Sequence, residues 1–267
     1  MTIRTLCGMF AVAVLVAAFP ANAQTWTSDP VVTDEGCENL EYVDVATFLE
    51  SYLTASDGYE GSKKESSAAM LLHYTIASAL VNRSQGCLAE ALELKALTDQ
   101  LKEQQALLTS GTSMSKQQVK KQRELTAEAN AEIEAAAAQI EELTPEQKDR
   151  FSKGSSTYFA GTYATGEVFR SIEGYVTETS SAAAQQLNND KPRSGLLGGL
   201  GAVADVAKGA ANVFGMAKGA GYVFKGLKDH TTELVKTSQY LKSYSDDKDI
   251  ELPEDATNQL TDFDDWV

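Results

Sequence analysis

The sequence predicts an all-α protein, an elongated antiparallel multi-helix bundle whose long helices are of the coiled-coil type. Apolar residues recur at helical spacings of three, four and seven through most of the 267 residues. No run of alternating apolar and polar residues is long enough to indicate a sheet. Two stretches, 145–189 and 194–245, keep a heptad register over many turns, which favours a long shape over a round one.

The first 23 residues are typical of a secretory signal peptide. Arg4 lies before an apolar run at 6–19, and Ala21-Asn22-Ala23 is a small-residue cleavage pattern. The run is too short for a stable membrane anchor. We expect cleavage after Ala23, and we expect the periplasm as the destination, with secretion beyond the outer membrane left open.

Charge limits the class of partner. The net charge is −15, and removing Arg4 with the signal leaves 22 basic against 38 acidic residues, or −16. Such a chain is not expected to bind nucleic acid. The charge is unevenly distributed, because residues 246–267 carry −8 whereas residues 194–242 carry +3.

Two cysteines, Cys37 and Cys87, remain after cleavage. An even number of cysteines in an oxidising compartment predicts a disulfide between them. A redox-active thiol is the alternative, but no Cys-x-x-Cys pattern supports it.

Residues 24–43 contain Pro30 and lack periodicity, so we expect an extended leader before a bundle over 44–245. Asp44 is the predicted N-cap of the first helix. Gly86 is interpreted as the end of the second helix, and residues 87–143 as an antiparallel helical hairpin. The basic cluster Lys116, Lys120, Lys121 and Arg123 is interpreted as a solvated face, since glutamates follow on the same element.

The helix predicted at 145–189 has three start signals: Thr144 as N-cap, Pro145 in the first turn and Gln147 at the capping-box position. Its aromatics between Tyr158 and Tyr175 are interleaved with glycines. We interpret this pattern as a core in which rings pack over glycines; a binding groove is the alternative.

The stretch 194–245 combines small residues with a heptad seam. Every seventh residue from Val206 to Leu241 is apolar, and the glycines within it lower helix propensity, so we infer close approach of the 145–189 helix. The alternative is a membrane-active segment at 195–228, in which apolar residues are interspersed with lysines. The candidate membrane or partner residues are Leu196, Leu197, Leu200, Lys208, Phe214, Lys218, Phe224, Lys225 and Lys228.

No catalytic, cofactor-binding or metal-binding residue can be assigned. The two histidines, His73 and His230, have no set of partners at metal-ligand spacing. The glycine-rich run at 195–201 lacks the features of a phosphate loop. Residues 246–267 are predicted to be a disordered acidic tail, in which Phe263 and Trp266 could anchor docking on a basic surface.

These patterns together predict an exported, non-enzymatic helical scaffold or adaptor of the bacterial cell envelope. Its partners would be another envelope protein or a second copy of itself, with a membrane surface as a further possibility. The alternative function is a membrane-active or pore-forming protein that uses segment 195–228.

Overall fold

The computed structural model describes residues 29–33, 36–56, 63–110, 114–189 and 226–261, without the side chains of 52–70 and 171–189. These residues form eight helices and no strand, so the all-α prediction is confirmed. The helices are α1 Pro30–Thr33, α2 Tyr42–Ser56, α3 Lys63–Ala91, α4 Lys95–Leu108, α5 Lys116–Ala137, α6 Pro145–Asn189, α7 Leu227–Asp247 and α8 Glu254–Asn258.

An antiparallel pair of helices, α3 and α6, lies at the centre of the bundle. Residues 73–85 of α3 and 154–162 of α6 are buried at every position. Helices α4 and α5 pack on α3, while α2, α7 and α8 pack on α6. The predicted bundle arrangement is therefore confirmed, with two core helices inside a layer of outer ones.

Two glycines of α6 allow the central helices to approach closely. A Cβ atom at Gly161 would lie 2.8 Å from Val81 Cγ2 and 2.9 Å from the Val81 backbone nitrogen. At Gly154 it would lie 2.9 Å from Leu88 Cγ. The small residues that the sequence predicted to contact the 145–189 helix lie within 194–245, mostly outside the described residues, whereas Gly154 and Gly161 contact α3.

The start of α6 is as predicted. Gln147 N donates to Thr144 Oγ1 at 3.2 Å, and Thr144 N donates to Gln147 Oε1 at 2.9 Å, which is a reciprocal capping box. The heptad position Phe151 is fully buried. Tyr158 and Phe159 of the aromatic run are also fully buried, as the core interpretation of that run requires.

The predicted hairpin at 87–143 is wrong in its boundaries and its packing. Helix α3 continues through Gly86 to Ala91, and the break falls at 92–94, where Glu93 has a φ of 60°. Gly86 is tolerated inside the helix because burial of Leu88 and its neighbours outweighs the propensity cost of about 1 kcal/mol. Among the described residues, α4 and α5 each pack mainly against α3 and not along each other.

A single helix over 194–245 is also wrong. Gly226 has a φ of 87°, a left-handed conformation that ends any regular helix at this residue, and α7 begins at Leu227. The three seam residues that fall in α7, Leu227, Leu234 and Leu241, are fully buried, as the heptad register predicted. Residues 190–225 lie outside the described part of the chain.

Both flanks of the bundle are more ordered than the sequence indicated. The leader contains α1, and α2 begins at Tyr42, so Asp44 lies in the first turn and is not its N-cap. Residues 246–261 are not a disordered tail, because Ile250 and Ala256 are buried and α8 packs on α6. Apolar residues spaced along this segment pack into the core, although the segment is acidic in composition. The predicted signal peptide at 1–23 and residues 262–267 are outside the described residues.

Candidate functional site

The two ends of the bundle differ in how far the helices extend. We call the end with Pro145, Asp247 and α8 the proximal end, and the end where α5 and α7 begin the distal end. Thr162 of α6 contacts Ser238 of antiparallel α7 at 3.1 Å, so the first residue of α7 lies level with about residue 173 of α6. Helix α6 continues to Asn189 and projects about 24 Å beyond that level.

Three helices meet at the distal end in a cluster of Tyr74, Arg123 and His230, which we call the junction cluster. Arg123 Nε donates to the Tyr74 hydroxyl at 3.0 Å, and its guanidinium lies 5.3 Å from the Tyr74 ring centroid. The His230 ring meets the Tyr74 ring edge-on at 6.5 Å. A Cβ at Gly226 would lie 3.1 Å from Arg123 Nη1, so the arginine also abuts the left-handed turn that starts α7.

Burial determines the protonation of these groups. It lowers the pKa of His230 to about 3, with the positive charge of Arg123 acting in the same direction. Burial alone lowers the pKa of neighbouring His73 to about 4. Burial also raises the pKa of Tyr74, although Arg123 opposes that shift. The histidines are neutral and the tyrosine is protonated near neutral pH, so this cluster fixes the position of α7 without changing charge.

Polar layers cross the core of the bundle beside α3. Asn82 Nδ2 donates to Gln105 Oε1 of α4 at 2.8 Å. On the other side, Gln85 Nε2 donates to Asn130 Oδ1 of α5 at 2.7 Å, and the Tyr158 hydroxyl donates to the same oxygen at 3.0 Å. Any axial slip of α4 or α5 would break these bonds, so the layers set the register of the bundle. The sequence reasoning missed them; the signal was the polar run at 82–85, with an amide at each end, within an otherwise apolar part of α3.

Arg83 and the disulfide hold the leader against α3. The guanidinium donates to the carbonyl oxygens of Pro30 at 2.7 Å and Gly36 at 3.2 Å, and also to that of Val31. The predicted disulfide between Cys37 and Cys87 is present, which confirms that pairing. A cleft of about 210 Å³ borders the bridge and α4.

Most of the other predicted site residues are not among the described ones. Lys228 is exposed in the first turn of α7. The other candidate membrane or partner residues lie outside the described chain, and so do the tail residues Phe263 and Trp266. The structure therefore tests the position of one member of the 195–228 segment.

Neither a metal site nor a membrane span was found in the part of the chain that the structure describes. None of its groups of histidine, cysteine and acidic residues could hold a metal ion. None of its helices is both long and apolar enough to cross a bilayer. Comparison with protein-family models, with curated proteins and with solved structures gives no match to this chain.

Proposed function

We propose that this protein is an exported, non-enzymatic helical scaffold that binds another envelope protein or a second copy of itself through the projecting part of α6. The observation that carries the proposal is the length of α6 relative to its neighbours. Its proximal half is buried among α2, α3, α7 and α8, whereas residues 174–189 extend past the start of α7. Among the described residues, α6 also extends past the first residue of α3, Lys63, which lies level with about residue 179. A helix end that extends past its described neighbours offers a surface for a partner.

Two further features support a scaffold. The polar layers and the close α3–α6 contact fix one register, so the bundle can hold the projecting helix in a defined direction. The disulfide suits a protein that works in an oxidising compartment, in line with the signal-like sequence at 1–23.

Site-specific photo-crosslinking in the native envelope tests the proposal. A photoreactive residue at Gln185, in the projecting part of α6, is expected to give a protease-sensitive adduct with a protein. The matched control is Asp149, an exposed residue on the same helix at the proximal end, where no such adduct is expected. Equal crosslinking from both positions, or none from Gln185, would contradict the proposal.

The shape of the mature protein is a second test. Helix α6 alone has 45 residues and is about 67 Å long. A compact domain of this size would have a radius of gyration of about 18 Å. Small-angle scattering should give a clearly larger value; a value near 18 Å would rule out the elongated scaffold.

A further inference from the structure

Four exposed lysines come together at the distal end of the bundle. Lys116, Lys120 and Lys121 lie in the first two turns of α5, and Lys228 lies in the first turn of α7. We call them the basic end. Arg123 of α5 lies against Gly226, and Glu134 further along α5 accepts a hydrogen bond from Thr237 of α7 at 3.0 Å, so the two helices run parallel. In that register the four lysines lie within about 20 Å of each other.

The opposite end of the bundle is strongly acidic. Residues 36–44, 141–149 and 246–255 carry thirteen acidic side chains against two lysines. Lys148 and Lys248 are both engaged there, the first with the Lys248 carbonyl and the second 3.8 Å from Asp247. The two ends are at least about 27 Å apart along α6. This distance is more than three Debye lengths at physiological ionic strength. The negative potential of the acidic end is therefore screened at a surface that contacts the basic end.

The lysines of the basic end are placed against local preference. Cations are unfavourable in the first turns of a helix because the helix dipole is positive there, and like charges four residues apart repel. Lys116 and Lys120 have this spacing. Lys120 pairs with Glu124 at 3.2 Å, but within the described residues Lys116, Lys121 and Lys228 have no ion-pair partner. Among the described residues, an internal contact offsets this unfavourable arrangement only at Lys120, which points to an external anionic partner for the other lysines.

We propose that the basic end binds the surface of an anionic lipid bilayer through the exposed lysines of α5 and α7. Lysine is a flexible, strongly hydrated point charge, which suits a diffuse layer of headgroups. Specific protein interfaces are instead depleted in lysine and depend on tryptophan, tyrosine or arginine anchors. From the sequence alone, the α5 lysines were interpreted as a solvated face. The sequence does not show that Lys228 of α7 lies at the same end of the bundle.

Vesicle co-sedimentation of the disulfide-intact mature protein tests this assignment. We expect binding to phosphatidylcholine vesicles that contain about 30% phosphatidylglycerol, a composition with a negative surface potential, and no binding to pure phosphatidylcholine. Each lysine contributes about fivefold to partitioning, so the triple variant Lys116→Gln, Lys120→Gln, Lys121→Gln should bind about 100-fold more weakly.

The matched control removes the same charge elsewhere. The triple variant Lys95→Gln, Lys236→Gln, Lys242→Gln should bind within about twofold of the wild type, since these lysines lie more than a Debye length from the basic end. Thermal unfolding checks that both variants fold, and the single variant Lys121→Gln should by itself lose about fivefold.

Three results would overturn the proposal: wild-type protein that ignores the anionic vesicles, equal binding to neutral vesicles, or a basic-end variant that binds like the wild type. Equal binding to neutral vesicles would assign lipid contact to apolar residues. Crosslinking from Gln185 is independent of all three results, so the scaffold proposal and this one can fail separately.

Discussion

Replacing Gly161 with alanine tests the close contact between the two central helices. The added methyl group would lie 2.8 Å from Val81 Cγ2 and 2.9 Å from Val81 N. A valine methyl can rotate away, but a backbone nitrogen cannot, so α3 and α6 must separate by about 0.5 Å. Overpacking of this kind costs about 1 to 3 kcal/mol, against a gain of up to about 1 kcal/mol in helix propensity. Because the clash includes a backbone atom, we expect a cost of about 2 to 3 kcal/mol and therefore a net loss of about 1 to 2 kcal/mol.

Gly86 provides the matched control because it is also a glycine inside a central helix. A Cβ at Gly86 would meet nothing within 4 Å. Gly86→Ala should therefore stabilise the protein by about 0.5 to 1 kcal/mol through helix propensity alone. The same substitution is thus expected to lower the free energy of unfolding at Gly161 and to raise it at Gly86.

Urea unfolding of the disulfide-intact protein, followed by circular dichroism, measures both effects. We expect the midpoint to fall for Gly161→Ala and to rise for Gly86→Ala, with equal slopes. Adding Val81→Ala to Gly161→Ala should relieve only the side-chain part of the clash, since the contact with the nitrogen remains. If Gly161→Ala proves as stable as Gly86→Ala, the close packing of α3 on α6 is incorrect.

Three further perturbations test the polar layers, the junction cluster and the leader. Asn130→Ala removes the acceptor of two buried donors and should cost about 2 to 3 kcal/mol in chemical unfolding, whereas a loss under about 0.5 kcal/mol would show that the layer is not formed. For His230 the folded pKa of about 3 lies below the unfolded value of about 6.5, so its contribution is complete above pH 6.5 and is lost as pH falls toward 3. His230→Gln should flatten the decline of the unfolding free energy across that window, and an unchanged slope would contradict burial of the neutral imidazole. Replacing both Cys37 and Cys87 with serine opens a loop of 50 residues and should cost about 4 kcal/mol and expose the leader to protease; equal melting of oxidised and reduced protein would argue against the bridge.

Local signals in the sequence were sufficient where the interaction is itself local. The capping box at Thr144 involves residues three apart, so its residue types predicted both the start of α6 and its hydrogen bonds. The disulfide was predicted because the expected cleavage would leave only Cys37 and Cys87. The heptad register correctly placed Leu227, Leu234 and Leu241 in the core.

Break residues were less reliable because their meaning depends on tertiary contacts. Gly86 and Gly226 are the same residue type, yet the first lies inside a helix and the second adopts a φ of 87° directly before α7 begins. Burial on either side of Gly86 holds α3 continuous, whereas Gly226 turns the chain beside Arg123. The acidic composition of 246–261 also led to a wrong prediction of disorder. A few spaced apolar residues hold this segment on the bundle despite its charge.

The sequence by itself determined the helical class, the heptad faces, the start of α6 and the cysteine pairing, because these depend on the spacing and number of residues along the chain. Only the tertiary structure decided that α3 is the neighbour of α6, that amides from three helices form layers, and that lysines of α5 and α7 share one end. Each of these joins residues from different helices, and helical periodicity states which face is buried but not which helix covers it.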